Sequence, residues 1–280
     1  MSKPNRTVVN GEDAASVSGS LTKGLRLVEL LIEAPTPQGL SEIAAGAGID
    51  GSTAHRLLQG LVDRGYVVRD EQSRRYTAGP RAFAPLGLTH PLKEMSRDAL
   101  PILTSLRNST GQTSGLVLFL GTQRLVVDTV KGDHPLVPYY EPWLRSPLHG
   151  SASGKILLAS LSKQERVDLI GAGPYQSATP FTVTDPATLE TQLEEIERTG
   201  YVVARDDAFV GMTAIAAPIK YFGRMVGCLT VVGRSDVIAP ADSEAYGVAL
   251  RNAASLLGST APSLRSVFYM FNYRGPVAAA

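Results

Sequence analysis

The small-residue loop Gly150-Ser-Ala-Ser-Gly-Lys155 is the stretch of this sequence whose residue types most resemble a catalytic loop. A phosphate-binding P-loop would need a glycine where the sequence has His149 and a hydroxyl residue where it has Ile156. A serine nucleophile paired with the lysine would need a serine at the position of Ala152. The spacing therefore argues against phosphate-loop and Ser-x-x-Lys chemistry in this loop.

Metal and dinucleotide sites also lack the spacing that they require. Gly171-Ala-Gly173 resembles the start of a dinucleotide fingerprint, but Gln176 stands where the third glycine belongs. The single Cys228 excludes a multi-cysteine zinc site, and the histidines follow no HExxH-like pattern. The four histidines are His55, His90, His134 and His149. We therefore predict no catalytic residues, no metal site and no cofactor, and we expect that the protein is not an enzyme.

The stretch from Asp50 to Val67 carries residue types that suit a different chemistry, the reading of DNA bases. Ala54, Leu58 and Leu61 keep the spacing of a buried helical stripe, while the opposite face is polar. Serine, threonine, histidine and arginine side chains on the first turns of a helix can contact base edges in a major groove. The residues of this outer face predicted to contact DNA are Ser52, Thr53, His55, Arg56 and Gln59.

Composition bounds the class of protein but does not by itself indicate DNA binding. The chain of 280 residues is 44% hydrophobic and 19% charged, which predicts two globular domains. No apolar run approaches the roughly 20 residues of a membrane span, and the polar N-terminus lacks the apolar core of a secretory signal. A cytoplasmic protein without a membrane partner is therefore expected. Its net charge is only +1, and residues 20–85 hold eight basic and seven acidic side chains.

Three predicted helices and a hairpin position the DNA-reading residues. Helical spacing predicts a first helix over Ser20–Glu33 with Ser20 as its N-cap, and a short second helix beginning near Leu40. The third helix follows with Asp50 as its N-cap. Strand-like Tyr66–Val68 and Arg75–Thr77 then flank a charged turn. This order predicts a winged helix-turn-helix, in which Arg74 and Arg75 of the hairpin contact phosphates or the minor groove.

The remainder of the chain predicts a second, mixed α and β domain. Apolar β-rich runs at Thr113–Leu120 and Arg124–Val130 flank a turn, and the small-residue loop leads into a helix. Ser162 with Glu165 and Asp185 with Pro186 have the spacing of helix starts. Further predicted elements are strands at Tyr201–Ala204, Ala214–Ile219 and Val226–Val232, and a helix at Ala241–Leu257. Antiparallel hairpins are expected to form the sheet.

The sequence resembles the IclR-type bacterial transcriptional regulators. The resemblance rests on Leu40-Ser-Glu-Ile-Ala44, Ser52-Thr-Ala-His-Arg-Leu-Leu58, Arg64-Gly-Tyr-Val67, Arg75-Tyr-Thr-Ala-Gly79 and the run from Leu148 to Ala159. It implies a two-domain α+β protein with a winged helix-turn-helix domain (20–85), a linker helix (86–110) and a GAF-like effector-binding domain with an antiparallel sheet (111–260). The composition of the ends predicts a disordered leader (1–19) and an aromatic C-terminal tail (261–280).

The same resemblance bears on partners and on the first turn of the reading helix. It implies double-stranded operator DNA, a small-molecule effector and a homo-oligomer, either a dimer or the dimer of dimers common in the family. Ser41 of the second helix joins the predicted DNA contacts. The family often has a proline and a basic residue where this chain has Asp50 and Gly51, so its operator preference is expected to differ.

The predicted effector pocket has lost polar groups that carboxylate-binding relatives possess. An acid, a cysteine and two serines of those relatives correspond here to Ala204, Ala214, Thr230 and Val232. An apolar wall leaves a buried carboxylate unsatisfied, so an aromatic or otherwise hydrophobic effector is expected. The candidate effector-binding residues are Ser151, Ala152, Ser153, Ala204, Asp206, Ala214, Thr230 and Val232, with Ser151, Ser153, Asp206 and Thr230 as polar orienters.

Three alternatives remain open from the sequence alone. The pocket could be vestigial, with its alanines serving as ordinary core. The regulator could respond to a protein partner through its aromatic tail. An enzyme with a DNA-binding appendage is a third possibility, although no set of nucleophile, base and orienter can be assembled from the sequence.

Overall fold

A computed structural model describes residues 19–83, 89–134 and 144–271. The chain separates into two compact units between Pro85 and Leu86. The expected leader lies outside the described residues except for Gly19. The elements of the first unit are α1 (Ser20–Glu33), α2 (Leu40–Ala47), α3 (Gly51–Asp63), β1 (Val67–Arg69), β2 (Tyr76–Ala78) and a short 3-10 helix (Pro80–Phe83).

The first unit packs its three helices and its hairpin around one small apolar core. Each buried leucine of this core contributes roughly 1.5–3 kcal/mol through the apolar surface that it removes from water. Gly48 makes the turn between α2 and α3 possible, since its φ of 64° lies in the left-handed region. The side chains of the core are Leu27, Leu31, Ile43, Ala47, Leu58, Val67 and Tyr76.

In the first unit, the observed N-caps and strand starts can be compared with those predicted from the sequence. Asp50 caps α3 as expected, because its carboxylate accepts a hydrogen bond from the Thr53 amide at 2.8 Å. The N-cap expected at Ser20 is wrong: Ser20 is the first residue of α1, and the N-cap is Gly19, which has no side chain to bond the helix. Each strand of the hairpin begins one residue later than expected.

The second unit consists of a five-stranded antiparallel sheet with helices on both faces. The strands lie in the order β4-β3-β7-β6-β5, and every neighbouring pair is antiparallel. The elements of this unit are α4 (Pro91–Thr110), β3 (Thr113–Leu120), β4 (Gln123–Val130), α5 (Ala152–Ala159), α6 (Lys163–Ile170), α7 (Pro186–Thr199), β5 (Val202–Arg205), β6 (Met212–Tyr221), β7 (Arg224–Arg234), α8 (Pro240–Thr260) and α9 (Ser263–Met270).

The two faces of the sheet carry separate apolar cores. Helices α5 and α7 pack on one face, where Ile156 and Leu193 are buried. Helices α4, α8 and α9 pack on the other face. The predicted linker helix is therefore also a core element, since Met95 and Leu103 of α4 are fully buried in the second unit.

Part of the predicted aromatic tail forms α9, which packs against α4. Leu264 and Val267 are fully buried. The hydroxyl of Ser263 donates a hydrogen bond to Asp98 at 2.6 Å. Residues 272–280, which include Tyr273, lie outside the described residues. Among the described helices, none combines the length and the apolarity that a membrane span requires.

Candidate DNA-reading face and effector cavity

Helix α3 exposes the polar face that the sequence predicts. Ala54 and Leu58 are completely buried and fix the orientation of the helix in the first unit. The opposite face is exposed along its length, with only Thr53 of the predicted contacts half-buried; its exposed members are Ser52, His55, Arg56 and Gln59. Ser41 of α2 is also exposed. Within the described residues, no hydrogen bond or ion pair engages Arg56.

Asp50 and Ser52 are joined at the start of α3. The Ser52 hydroxyl donates a hydrogen bond to Oδ1 of Asp50 at 2.5 Å, and the same oxygen accepts the Thr53 amide. The Ser52 hydroxyl, followed by the Thr53 amide, holds the pKa of the Asp50 carboxyl well below its usual range. Asp50 is therefore ionised throughout the physiological range.

The wing places its two neighbouring arginines differently. Arg74 is exposed, has a φ of 56°, and makes no hydrogen bond or ion pair within the described residues. Arg75 donates from Nη1 to the carbonyl of Pro37 at 2.8 Å and to the carboxylate of Glu42 at 3.2 Å. Arg75 therefore ties the wing to the start of α2, whereas Arg74 faces solvent.

A backbone pairing reinforces this tie. Gln38 and Tyr76 exchange two backbone hydrogen bonds of 2.8 Å, so the segment before α2 extends the hairpin. The turn of the wing is closed by Asp70, whose carboxylate accepts the amide and the hydroxyl of Ser73, each at 2.6 Å. Those bonds, the hydroxyl first, lower the pKa of Asp70. The tip of the wing therefore carries a fixed negative charge beside Arg74.

A cavity of about 110 Å³ opens beside the N-terminus of α5 in the second unit. Gly154 allows the loop and the helix to approach closely, since a Cβ there would lie 2.3 Å from the carbonyl oxygen of Leu148. One wall is apolar and is made mainly of alanines. The lining residues are Leu144, Arg145, Ser146, Ser151, Ala152, Ser153, Ala204, Ala208, Phe209, Met212 and Ala214.

Five of the eight predicted effector-binding residues line this cavity, and three do not. The five are Ser151, Ala152, Ser153, Ala204 and Ala214. Asp206 instead closes the loop before β6, where its carboxylate accepts the Gly211 amide at 2.7 Å and the Ser235 hydroxyl at 2.8 Å. Thr230 donates to the carbonyl of Gly115 at 3.3 Å, and Val232 belongs to the buried core. Asp206 and Thr230 therefore bond within the protein and do not line the cavity.

A buried arginine that sequence reasoning did not select lies behind the two serines of the cavity. Arg124 at the start of β4 is only 3% exposed. Its Nη1 donates to the hydroxyl oxygens of Ser151 at 2.6 Å and Ser153 at 3.2 Å, and its Nη2 donates to the carbonyls of Leu144 and Ser146. The sequence places Arg124 at the start of a predicted strand, but it does not indicate that the loop before α5 packs against this arginine.

The polar end of the cavity is suited to a ligand group that accepts hydrogen bonds. No described residue accepts the Ser153 hydroxyl proton, and the N-cap residue Ser151 makes no side-chain cap bond to the helix. Ser151 donates instead to the carbonyl of Pro147 at 2.8 Å. Amides of the first turn of α5 are therefore available at a positive helix end. Arg145 also lines the cavity.

Two further groups near this face of the sheet are structural. Lys155 and Asp207 form a buried ion pair that ties α5 to the loop before β6, and neither lines the cavity. Burial raises the pKa of the Cys228 thiol to about 12, so the thiol stays protonated. In the described ranges, no three histidine, cysteine or acidic side chains come together as metal ligands.

Family models identify both units. The model of the bacterial transcriptional regulator IclR C-terminal domain matches residues 92–258, and that of the IclR helix-turn-helix domain matches residues 20–71. HTH-type transcriptional regulator BhcR of Paracoccus denitrificans is 30% identical over 75% of this chain and 75% of its own length. Transcriptional repressor IclR of Escherichia coli is 27% identical over 71% of this chain and 74% of its own length.

Solved structures agree with the sequence relatives. An IclR homologue from Microbacterium hydrocarbonoxydans, solved in complex with 4-hydroxybenzoate, is 25% identical and has a TM-score of 0.75 over 89% of this chain and all of that one. The regulator from Alicyclobacillus acidocaldarius is 27% identical with a TM-score of 0.73, over 85% of this chain and 97% of that one. The fold is the two-domain α+β architecture expected from the sequence. This chain belongs to the IclR family of bacterial transcriptional regulators.

Proposed function

We propose that this regulator binds operator DNA through the exposed face of α3 and that a small metabolite in the cavity of the second unit modulates that binding. The observation that carries the effector half is the cavity itself, which combines an apolar wall with two serines that the buried guanidinium of Arg124 hydrogen-bonds. Arg56, His55 and Gln59 are the proposed base-reading residues, because they are exposed on one face of α3. Ser41, Ser52 and Thr53 flank that face.

Arg74 and Arg75 have different proposed roles. Arg74 contacts phosphate, because it is exposed and has no partner among the described residues. Arg75 positions the wing, because its guanidinium already bonds Pro37 and Glu42. Phosphate contacts make binding dependent on salt, while positioning contacts do not. The two arginines can therefore be separated by the salt dependence of their variants.

The effector that fits the cavity best has an apolar body and one acidic group. Ala204, Ala208 and Ala214 give the wall its apolar character, and Met212 and Phe209 extend it. The acid would meet the Ser153 hydroxyl and the first amides of α5, with the charge of Arg124 behind them. Arg124 revises the expectation that the cavity cannot satisfy a carboxylate. A cavity of about 110 Å³ is small, which favours a metabolite of single-ring size.

The structural relative with 4-hydroxybenzoate supports the same ligand class. That compound is an aromatic acid, and the relative shares the fold of 89% of this chain. A single aromatic ring with one carboxylate satisfies both ends of the cavity described above. We therefore propose aromatic monocarboxylates as the effector class.

Calorimetric titration of the full chain with benzoate, benzamide and glyoxylate tests the effector class. Benzoate is expected to bind more tightly than benzamide, which keeps the ring but lacks the charge. Glyoxylate keeps the acid but lacks the apolar body, so it should bind more weakly than either. Tighter binding of glyoxylate than of benzoate would overturn the proposed class, and no binding of any of the three would favour a vestigial pocket.

A pair of variants locates the binding in the cavity. Ala214→Asp places a carboxylate in the apolar wall and should abolish benzoate binding by repulsion and desolvation. Ala45→Asp is the matched control, since Ala45 is exposed on α2 in the other unit. Both variants should keep the thermal unfolding of the second unit measurable. Equal benzoate affinity in the two variants would place the ligand elsewhere.

We also propose that the protein acts in the cytoplasm as a homodimer or tetramer. A two-fold operator requires at least two reading helices. Leu21 and Leu25 on α1 are 76% and 56% exposed, and apolar residues exposed four positions apart on a helix favour association. Sedimentation of the full chain tests the oligomer. A monomer at micromolar concentration would contradict it.

A further inference from the structure

The first turn of α3 presents hydrogen-bond acceptors toward solvent. The hydroxyl of Ser52 has one proton, and that proton is given to Oδ1 of Asp50 at 2.5 Å. The remaining capacity of the Ser52 oxygen is to accept. Asp50 is ionised, so its second oxygen also accepts and cannot donate. Both residues are exposed, on the end of the helix that enters the groove.

The bases differ in what they offer to such acceptors. In the major groove, cytosine offers its N4 amino group and adenine its N6 amino group. Guanine and thymine offer keto oxygens at the corresponding positions, which would face the negative Asp50 and the acceptor of Ser52. We propose that Ser52, with its proton held by Asp50, is a specificity-determining residue that selects the amino group of cytosine or adenine in the operator. This inference rests on the proposed DNA-reading role of α3.

Arg56 gives the reading face the opposite polarity one turn later. It lies four residues beyond Ser52, on the same face of the helix and about 6 Å along the axis. Arginine donates to O6 and N7 of guanine. Since base pairs stack at about 3.4 Å, the base pair read by Ser52 lies roughly two steps from the guanine read by Arg56. The operator therefore carries, roughly two base pairs from this guanine, a pair whose adenine or cytosine faces Ser52.

The experiment begins with selection of preferred duplexes from a random pool by the full-length wild-type protein. The same selection with Ser52→Ala identifies the base pair whose preference is lost. At that pair, the amino group is then removed chemically, with purine in place of adenine or 2-pyrimidinone in place of cytosine. Wild type should lose affinity about threefold to tenfold, as for one hydrogen bond. The Ser52→Ala variant should bind the duplexes with and without the amino group with equal affinity.

Asp50→Asn tests the role of the carboxylate. Asparagine keeps an oxygen that can cap α3 but adds an amide that donates. The variant should therefore tolerate exchange of the two bases of that pair between the strands, which puts a keto oxygen where wild type meets an amino group, with the preference reduced about threefold. Asp185→Asn is the matched control, because Asp185 caps α7 of the second unit by accepting the Thr188 amide at 2.7 Å and its hydroxyl at 2.8 Å. That variant should leave every base preference unchanged.

The outcomes separate this inference from the DNA-reading role itself. If the amino deletion costs Ser52→Ala as much as wild type, Ser52 does not act as an acceptor and the inference is wrong. If Arg56→Ala relaxes specificity while Ser52→Ala changes no position, only the inference fails. If wild type selects no preferred duplex, the reading role of α3 fails and the inference falls with it.

Discussion

Arg56 in the first unit and Arg124 in the second carry the same charged group in opposite environments. Arg56 is exposed on α3 and has no partner among the described residues, whereas Arg124 is buried and donates to two hydroxyls and two carbonyls. A guanidinium removed from water must be saturated with acceptors. The exposed Arg56 keeps its five N–H donors available to a partner, whereas the donors of the buried Arg124 hold the loop before α5 in place.

Replacing the buried Arg124 is expected to have the largest effect, and this effect is on stability. Arg124→Met removes the donor and leaves buried oxygens without partners, so the free energy of unfolding of the second unit should fall by about 3–5 kcal/mol. Urea denaturation followed by circular dichroism measures the loss. Arg198→Ala is the control, because Arg198 lies in an exposed pair with Glu195 and its loss should leave the transition unchanged. Equal stability of the two variants would mean that Arg124 is not structurally required.

Replacing the exposed arginine should change binding and leave folding intact. Arg56→Ala should weaken binding to the specific duplex by about 1–3 kcal/mol and flatten the preference at one base pair. The thermal unfolding temperature of the first unit should stay the same. Fluorescence anisotropy on the selected duplex and on a scrambled one measures both effects. Unchanged affinity on the selected duplex would show that the reading face is assigned wrongly.

Arg74 and Arg75 of the wing show the same difference between an arginine without a partner among the described residues and one bonded within the protein. Arg74→Ala should reduce the slope of log affinity against log salt by about 1, because one phosphate contact is lost. Arg75→Ala should keep the slope but lower the stability of the first unit by about 0.5–1 kcal/mol, because its bonds to Pro37 and Glu42 are lost. Arg75→Lys should recover part of that stability. A reduced salt slope in Arg75→Ala would instead assign it a phosphate.

The smallest expected effect concerns the charge at the start of α3. Because the folded state lowers the pKa of Asp50, its stabilisation is complete above the ordinary pKa of about 3.9 and is lost as pH falls toward the folded value. Wild type should therefore be more stable than Asp50→Asn at pH 6, with the difference shrinking by pH 3. Thermal unfolding of the first unit across this range measures it. A difference that is independent of pH would show that the cap does not depend on charge.

Local signals were enough to predict most elements and the exposed polar face of α3. Asp185 followed by Pro186 starts α7, and Ser162 with Glu165 caps α6, as the spacing indicates. The outer face of α3 follows from its buried stripe alone. Ser20 failed as a cap because Gly19 in extended conformation already precedes the first turn. Because glycine has no side chain, nothing in its residue chemistry marks it as an N-cap.

The cavity of the second unit depends on contacts between segments that are far apart in the sequence. Ser151 and Ser153 could be predicted because they start α5 beside a small-residue loop. Arg124 could not, because its role depends on which segments meet the inward side of β4. Asp206 does not line the cavity: its φ of 59° lies in the left-handed region, and its carboxylate accepts bonds from Gly211 and Ser235. Both cases concern the direction of a side chain and not its type.

The strand order of the second unit has a consequence for biosynthesis. Strand β3 pairs with β7, so residues 113–118 meet residues 227–232, more than a hundred positions later in the chain. The ribosome must therefore deliver most of the protein before the sheet can close, while the helices and hairpin of the first unit have long emerged. We expect the N-terminal unit to fold first, and the unfinished sheet to be the stage at which a nascent chain is most exposed to aggregation.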